Sequence, residues 1–394
     1  MKKILFLISS LRGGGAERAL SNITLAMPDD VEFDILVNFT TDKDYPHKGN
    51  VISLDLPKKD NFSLLYQIRA FLKRIAVLRK MKRNNNYDAC ISFMDSANFA
   101  NILSGKRCCK VIVSVRNTLS QSTSGKYKYI VNPFVRILYP HADKIIALSK
   151  GTEWDLEKNF KLRKQKLGTI YNGYSIAAIK KSTEMESSVW LDEDCFYFIT
   201  VGRLCRQKGQ WHLIRAFSKV ASEFPECRLI ICGQGAYEEM LRETAVKFNV
   251  SDKVIFTGFI RNTFAVAKKC NVFVFPSLYE GFGNVMIENM ACGLPVIASD
   301  FRSGAREILA PDTDFRFEQT ERIEKAKYGV IVPVCSGKKL IDEPLEKEEK
   351  LLTEAMLEMY ENEELRSYYS KASVERAEDF DVSKVVSQWL ALCE

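Results

Sequence analysis

Two glutamates stand eight positions apart around a glycine turn. The stretch Pro276-Ser277-Leu278-Tyr279-Glu280-Gly281-Phe282-Gly283-Asn284-Val285-Met286-Ile287-Glu288 reads as the end of an apolar strand, a turn and the start of a helix. Glu280 falls in the turn, and Glu288 lies about two helical turns beyond it. The amides of Gly281, Phe282, Gly283 and Asn284 then sit at the positive end of a helix, where a phosphate fits. Two carboxylates at that place can accept bonds from sugar hydroxyls. A capped helix with two exposed acids is the plain alternative. It explains neither the glycines on either side of Phe282 nor the pairing of the acids.

Two cations occur in a similar setting. Gly202-Arg203 follows an apolar strand, and Lys208-Gly209 opens the next helix. An arginine fork and a lysine point charge five positions apart can converge on one diphosphate. Taken in isolation, the pair reads rather as solvated surface charge. Gly13-Gly14-Gly15 also lies between a strand and a helix. It suits either a tight turn or a phosphate site, and its spacing is not the G-x-G-x-x-G of dinucleotide binding.

Other chemistries lack their residues. The three histidines, His47, His141 and His212, form no metal-ligand spacing, and His212 reads as a packed helix residue. G-x-S-x-G and G-x-x-x-x-G-K-[ST] are both missing. The eleven cysteines are scattered, with no C-x-x-C pair, and most sit in apolar runs such as Leu229-Ile230-Ile231-Cys232. Such thiols behave as small hydrophobes and point to a reducing cytosol.

These residues need elements to hold them. With 394 residues, 46% hydrophobic and 27% charged, the chain has material for two globular cores. No apolar run is long enough to span a bilayer. Lys2-Lys3 followed by Ile4–Ile8 is too short an apolar run for a signal peptide and reads as a first strand. Further strands are expected at Phe33–Asn38, Ala89–Phe93, Lys110–Val115 and Lys144–Leu148. A polar linker is expected over 174–194. A second series follows at Phe196–Val201, Arg228–Cys232, Lys253–Phe256, Val272–Phe275 and Pro295–Ala298. Helices are expected at about 209–224, 236–248, 262–270, 283–292 and 346–376, ahead of a last segment, 380–394. Strands alternating with helices mean α/β domains with parallel sheets.

The combined motifs resemble the retaining, nucleotide-sugar-dependent glycosyltransferases of family 4. The residues that carry the likeness are Glu280 and Glu288 (an E-x7-E motif), Met290 to Ala298, Val201-Gly202-Arg203 with Lys208-Gly209, Tyr171-Asn172-Gly173, and the glycine loop with Ala16-Glu17-Arg18. The resemblance implies a GT-B fold: two Rossmann-like domains facing across a cleft, at 1–178 and 179–376. A C-terminal helix in 377–394 would cross back to the first domain. It implies that Arg203 and Lys208 clamp the donor diphosphate. Glu288 would hold the ribose, and Glu280 would contact the donor sugar and act in catalysis with the two cations. Gly281, Phe282, Gly283 and Asn284 would line the donor, and Gly14 and Gly15 would let the domains close on it.

Many relatives carry a histidine where this chain has Ser114-Val115-Arg116-Asn117. The Arg116-Asn117 version resembles a subgroup of bacterial surface-polysaccharide enzymes, so these two residues are expected on the acceptor side. That subgroup implies a UDP-linked donor of galactose or glucose type or an N-acetyl form. The acceptor would be a polyprenyl-diphosphate-linked oligosaccharide, as in O-antigen or capsule assembly. No metal or other cofactor and no nucleic acid is expected. A GDP-mannose-dependent mannosyltransferase and a non-catalytic sugar-nucleotide-binding scaffold are the alternatives.

Charge gives an expected location. Residues 1–180 hold 30 basic and 15 acidic side chains, a surplus of +15, whereas 181–394 hold 27 and 35. Residues 62–83 contain seven basic residues and no acid. Read as a helix, Leu64, Ile68, Phe71, Leu72, Ile75 and Leu78 share one face, while Arg69, Lys73 and Lys80 share a flank. The apolar face is expected in the core. The flank is expected either in solvent or against anionic lipid headgroups or the acceptor's pyrophosphate. The protein is therefore expected in the cytoplasm, peripheral at the inner face of the plasma membrane.

Overall fold

The computed structural model describes residues 2–56, 63–122, 126–339 and 342–394. Phe62, the first residue of the basic segment, lies outside them. The chain forms two compact units, Met1–Ser175 with Phe380–Glu394, and Ile176–Asp379.

The strands of the first unit are β1 (Lys2–Leu7), β2 (Val31–Val37), β3 (Asn50–Ser53), β4 (Ala89–Phe93), β5 (Lys110–Val115), β6 (Lys144–Ala147) and β7 (Leu167–Thr169). They pair in parallel in the order β3-β2-β1-β4-β5-β6-β7. The connecting helices are α1 (Gly15–Leu25), α2 (Leu64–Asn84), α3 (Asp95–Leu103), α4 (Leu119–Ser122), α5 (Lys126–Leu138) and α6 (Lys150–Lys158).

The second unit repeats the plan. Its strands are β8 (Phe196–Val201), β9 (Cys227–Cys232), β10 (Val254–Gly258), β11 (Val272–Phe275), β12 (Val296–Ser299), β13 (Glu324–Ala326) and β14 (Gly329–Val332), in the order β10-β9-β8-β11-β12-β14-β13. Among the described residues only the β13–β14 pair is antiparallel. Its helices are α7 (Ile176–Thr183), α8 (Gln210–Glu223), α9 (Glu238–Lys247), α10 (Thr263–Ala267), α11 (Asn284–Ala291), α12 (Ala305–Leu309), α13 (Lys347–Glu361) and α14 (Glu363–Glu378). The last helix, α15 (Val382–Ala391), returns to the first unit. In both sheets the strand order reverses beside the first strand, between β1 and β4 and between β8 and β11. In open α/β sheets, ligands bind at the carboxyl ends of strands at such a reversal.

Both faces of the first sheet are covered at its centre, so β1, β4, β5 and β6 are buried along most of their length. Ile4, Phe6, Ile91, Phe93 and Ile112 face α1 and α15, meeting Leu20, Ile23, Val385, Val386 and Trp389. Leu5, Leu7 and Cys90 face the other way, onto Leu78 and Met81 of α2 and Ala97 and Ala100 of α3. The Tyr171-Asn172-Gly173 segment receives the returning chain. Val382 N donates to Tyr174 O at 2.9 Å, and a Cβ on Gly173 would stand 2.9 Å from Val382 Cα.

Three expectations are corrected here. The polar stretch 174–194 is not all linker: α7 occupies its start, with Ile176 and Ile179 buried. The single helix over 346–376 is two, broken at Asn362, whose side chain accepts from Leu365 N and caps α14. The apolar face of α2 is divided. Leu78 is buried, but Ile68 and Leu72 are 47% and 57% exposed, with Leu65 at 70%. The buried stripe of α2 runs instead through Arg74, Leu78, Met81 and Lys82. Both of its cations are held: Arg74 donates to Ser96 Oγ and Asn38 Oδ1, and Lys82 donates to Asn101 and to Gly105 O.

Candidate active site

The predicted cations and glutamates of the second unit stand at its strand-order reversal. Gly202 to Gly209 follow β8, and Pro276 to Gly283 follow β11. The two turns are joined by the backbone: Leu278 N donates to Gln207 O at 2.8 Å, and Gln207 Nε2 donates to Tyr279 O at 2.9 Å. Gly209 makes this approach possible. Its φ is +61°, and a Cβ there would lie 2.3 Å from Pro276 O.

This contact brings Lys208 to Glu280. Lys208 Nζ lies 2.7 Å from Glu280 Oε1, and the two side chains are only 13% and 11% exposed. The ammonium also stands 4.7 Å above the Phe275 ring. Lysine and glutamate form one preorganised, poorly hydrated pair, where charge acts more strongly than in water. Arg203 differs. Its side chain is exposed, and its carbonyl accepts from Gln210 Nε2 at 3.2 Å. Lys208 is thus held in place by Glu280, whereas the Arg203 side chain faces solvent.

Gly283 is the N-cap of α11 and Asn284 its first residue, so the amides of this turn meet the helix end as the spacing predicts. Phe282 is buried at 2% exposure, so its ring belongs to the interior. Glu288 is 7% exposed within α11.

The sequence reading missed a second glycine pair. Gly233 and Gly235 follow β9, and Cβ atoms on them would lie 1.9 Å from Gly202 O and 2.2 Å from Leu204 O. They press this turn onto the loop that carries Arg203. Two glycines just after an apolar strand were the available signal.

In the first unit, Gly14 is the N-cap of α1 and Gly15 its first residue. The helix end there is already met by a carboxylate: a Cβ on Gly14 would stand 2.2 Å from Glu17 Oε2. Burial raises the Glu17 carboxyl above its ordinary range. Arg116 follows β5 and turns inward, 7% exposed, while Asn117 is half-buried. The Arg116 guanidinium lies 4.9 Å from the Phe93 ring centre and 5.9 Å from that of Trp389. On α2, Arg69, Lys73 and Lys80 are exposed, and Lys73 Nζ donates to Leu54 O at 2.8 Å.

His212 is fully buried, with Nδ1 2.7 Å from Glu349 Oε1, and Arg215 binds the same carboxylate. Among the described residues, His212, Cys335 and Glu346 are the one group whose potential ligand atoms lie within 4.8 Å of one another. Glu346 already accepts from Ser336 N and forms a capping box with Glu349 at the start of α13. No helix among the described residues is long and apolar enough to cross a membrane.

Comparison with known proteins accounts for both units. Residues 13–177 match the model described as Glycosyltransferase Family 4, and residues 182–332 match Glycosyl transferases group 1. A glycosyltransferase of Methanocaldococcus jannaschii is 34% identical over 86% of each chain. An N-acetylgalactosaminyltransferase of Campylobacter jejuni is 28% identical over 98% of this chain and 97% of its own. Its name gives a diphospho-undecaprenol-linked saccharide as acceptor. Among solved structures, Anabaena HepE in complex with UDP and glucose superposes with a TM-score of 0.74 at 20% identity, covering 100% of this chain and 99% of that one. The motifs, the two repeated sheets and these relatives agree: the chain belongs to the glycosyltransferases, and its fold is GT-B.

Proposed function

We propose that the protein moves a hexosyl or N-acetylhexosaminyl unit from a UDP-sugar to a lipid-linked oligosaccharide, with retention of configuration. The observation that carries this reading is the Lys208–Glu280 pair at the β8/β11 reversal, beside Arg203 and the amides that open α11. In this proposal Arg203 and Lys208 receive the diphosphate, and their charges take the place of a metal. Glu280 meets the donor sugar and Glu288 the ribose. The acceptor hydroxyl attacks from the face that UDP leaves, and the departing phosphate takes its proton. Arg116 and Asn117 serve the acceptor. The named substrates of the Campylobacter relative and the UDP bound to HepE support this choice of partners. The work would take place at a membrane surface.

A donor screen tests the reading. Nucleotide release is measured across UDP- and GDP-sugars, with and without a diphosphate-linked saccharide acceptor. Acceptor-dependent release from a UDP-hexose or its N-acetyl form is expected. Release from GDP-mannose alone would replace the donor, and binding without release would make the protein a scaffold.

The two glutamates are expected to separate in calorimetry. Glu288→Ala should weaken UDP binding itself. Glu280→Ala should leave UDP affinity nearly intact and depress transfer. Equal losses of affinity in both variants would reverse the assignment.

A further inference from the structure

Three neighbouring helices of the first unit carry an apolar surface that no other described residue covers. α3 packs against α2 on one side and α5 on the other. Rings meet across the second junction, Phe99 and Phe134 lying 5.8 Å apart. On α5, Tyr129, Ile130, Phe134 and Ile137 are 79%, 58%, 48% and 63% exposed, while Val131 and Val135 of the same helix are buried. Ile130, Phe134 and Ile137 stand at i, i+4 and i+7, one continuous stripe. On α2, Leu65, Ile68 and Leu72 form a second exposed stripe over its first turns. Leu103, at the end of α3, is 39% exposed. Scattered exposed hydrophobes are ordinary, but large side chains aligned on adjacent helices mark an interaction surface.

The charges select the occupant. Neither α2 nor α5 contains an acid. The one acid of α3, Asp95, is buried and accepts from Tyr139 Oη at 2.9 Å. Exposed cations stand beside the stripes: Lys128 and Arg136 on α5, Arg69 on α2, and Arg79, Lys80 and Arg83 further along α2. Bulky apolar residues framed by cations, with no carboxylate among them, complement the plane of an anionic bilayer. We infer that this helical layer docks on anionic lipid, and that the α5 stripe enters the acyl boundary while the α2 cations meet the headgroups. The inference rests on the reading that the acceptor is lipid-linked. It changes how the protein holds the membrane. Contact through a basic flank alone would be fully screened by salt, whereas buried apolar side chains are not.

Sedimentation with phosphatidylcholine vesicles, with and without phosphatidylglycerol, tests this at low and high salt. The wild-type protein is expected on anionic vesicles and only partly released by high salt. The triple change Ile130→Ser, Phe134→Ser, Ile137→Ser should reduce partitioning by at least about tenfold. Transfer to a soluble, lipid-free acceptor should be unchanged. Phe134→Trp alone, a milder change, should show blue-shifted emission on vesicles and quenching by brominated acyl chains. Equal partitioning of wild type and triple variant, or no added quenching in Phe134→Trp, would overturn the inference. So would a lipid-free dimer that the triple change splits, since the face would then join two copies of the chain. Vesicle binding without transfer to any acceptor would leave the docking surface standing and refute the transferase reading instead.

Discussion

Lys208→Ala is expected to lower turnover by at least about a hundredfold, the scale of losing one electrostatic stabiliser in an active site. The geometry gives two reasons. The ammonium is the fixed cation of the β8 turn, held 2.7 Å from Glu280 and 4.7 Å above Phe275, so under the proposed function it needs no reorganisation to meet a departing diphosphate. Its removal also strands Glu280, which at 11% side-chain exposure is then a nearly buried acid without its cation. Arg203→Ala should cost a similar factor through the lost charge alone, because that side chain is exposed. The pair therefore predicts a difference in coupling. Lys208→Ala combined with Glu280→Ala should lose much less than the product of the single effects, and Arg203→Ala should combine multiplicatively with Glu280→Ala. Steady-state kinetics on the five single and double variants measure this. Near-wild-type turnover in both Lys208→Ala and Arg203→Ala would sink the clamp. Complete loss of wild-type activity with EDTA would do the same, by giving the charge to a cation.

The parts of this site were legible because each is local. An apolar strand, a glycine and a charged residue occupy adjacent positions, and Ala89–Phe93, Lys110–Val115, Phe196–Val201 and Val272–Phe275 fall where continuous apolar runs place them. A strand buried on both faces has to be apolar throughout, so its limits are visible in the chain. β3 and β7 are short, and Asn50 and the Leu167-Gly168-Thr169 run offer no such run. β13 and β14 pair as a small antiparallel ribbon whose first member, Glu324-Lys325-Ala326, is polar.

What the sequence hides is contact between distant pieces. Lys208 and Glu280 are 72 positions apart. Nothing in either motif states that the two charges meet. The burial of α2 was misjudged for a related reason. Periodicity finds a face, but the sheet beneath supports only part of a 21-residue helix, and the remaining apolar side chains stay outside. Glu17 is a third case. A free helix end and one covered by its own side chain have the same sequence.

Arg116→Met is expected to stabilise the protein and impair it together. The Arg116 guanidinium is buried, and none of its three nitrogens has a hydrogen-bond partner among the described residues. Burial pushes its pKa down from 12.5 to about 10, so it remains charged at neutral pH. A basic group with a depressed folded pKa destabilises the fold at every pH below that value, and the penalty fades as pH rises through it. The shift corresponds to something on the order of 3 kcal/mol. The rings of Phe93 and Trp389 return part of it, about 1–2 kcal/mol for a desolvated cation over aromatic faces. Methionine has similar length, fills the space between the rings and needs no partner. Its net gain of about 1–2 kcal/mol should raise Tm by several degrees near pH 7. The difference from wild type should persist nearly unchanged to pH 9.5, because the penalty is lost only as pH rises above the folded pKa. A charge held at such a cost needs a use, and the proposed function gives it one toward the acceptor. The same variant should therefore raise KM for the acceptor and leave UDP affinity untouched. Scanning calorimetry at pH 7 and pH 9.5 measures the first effect, and initial rates over acceptor concentration measure the second. A lower Tm would mean that the rings repay the burial in full. A higher Tm with unchanged acceptor kinetics would remove Arg116 from the acceptor site.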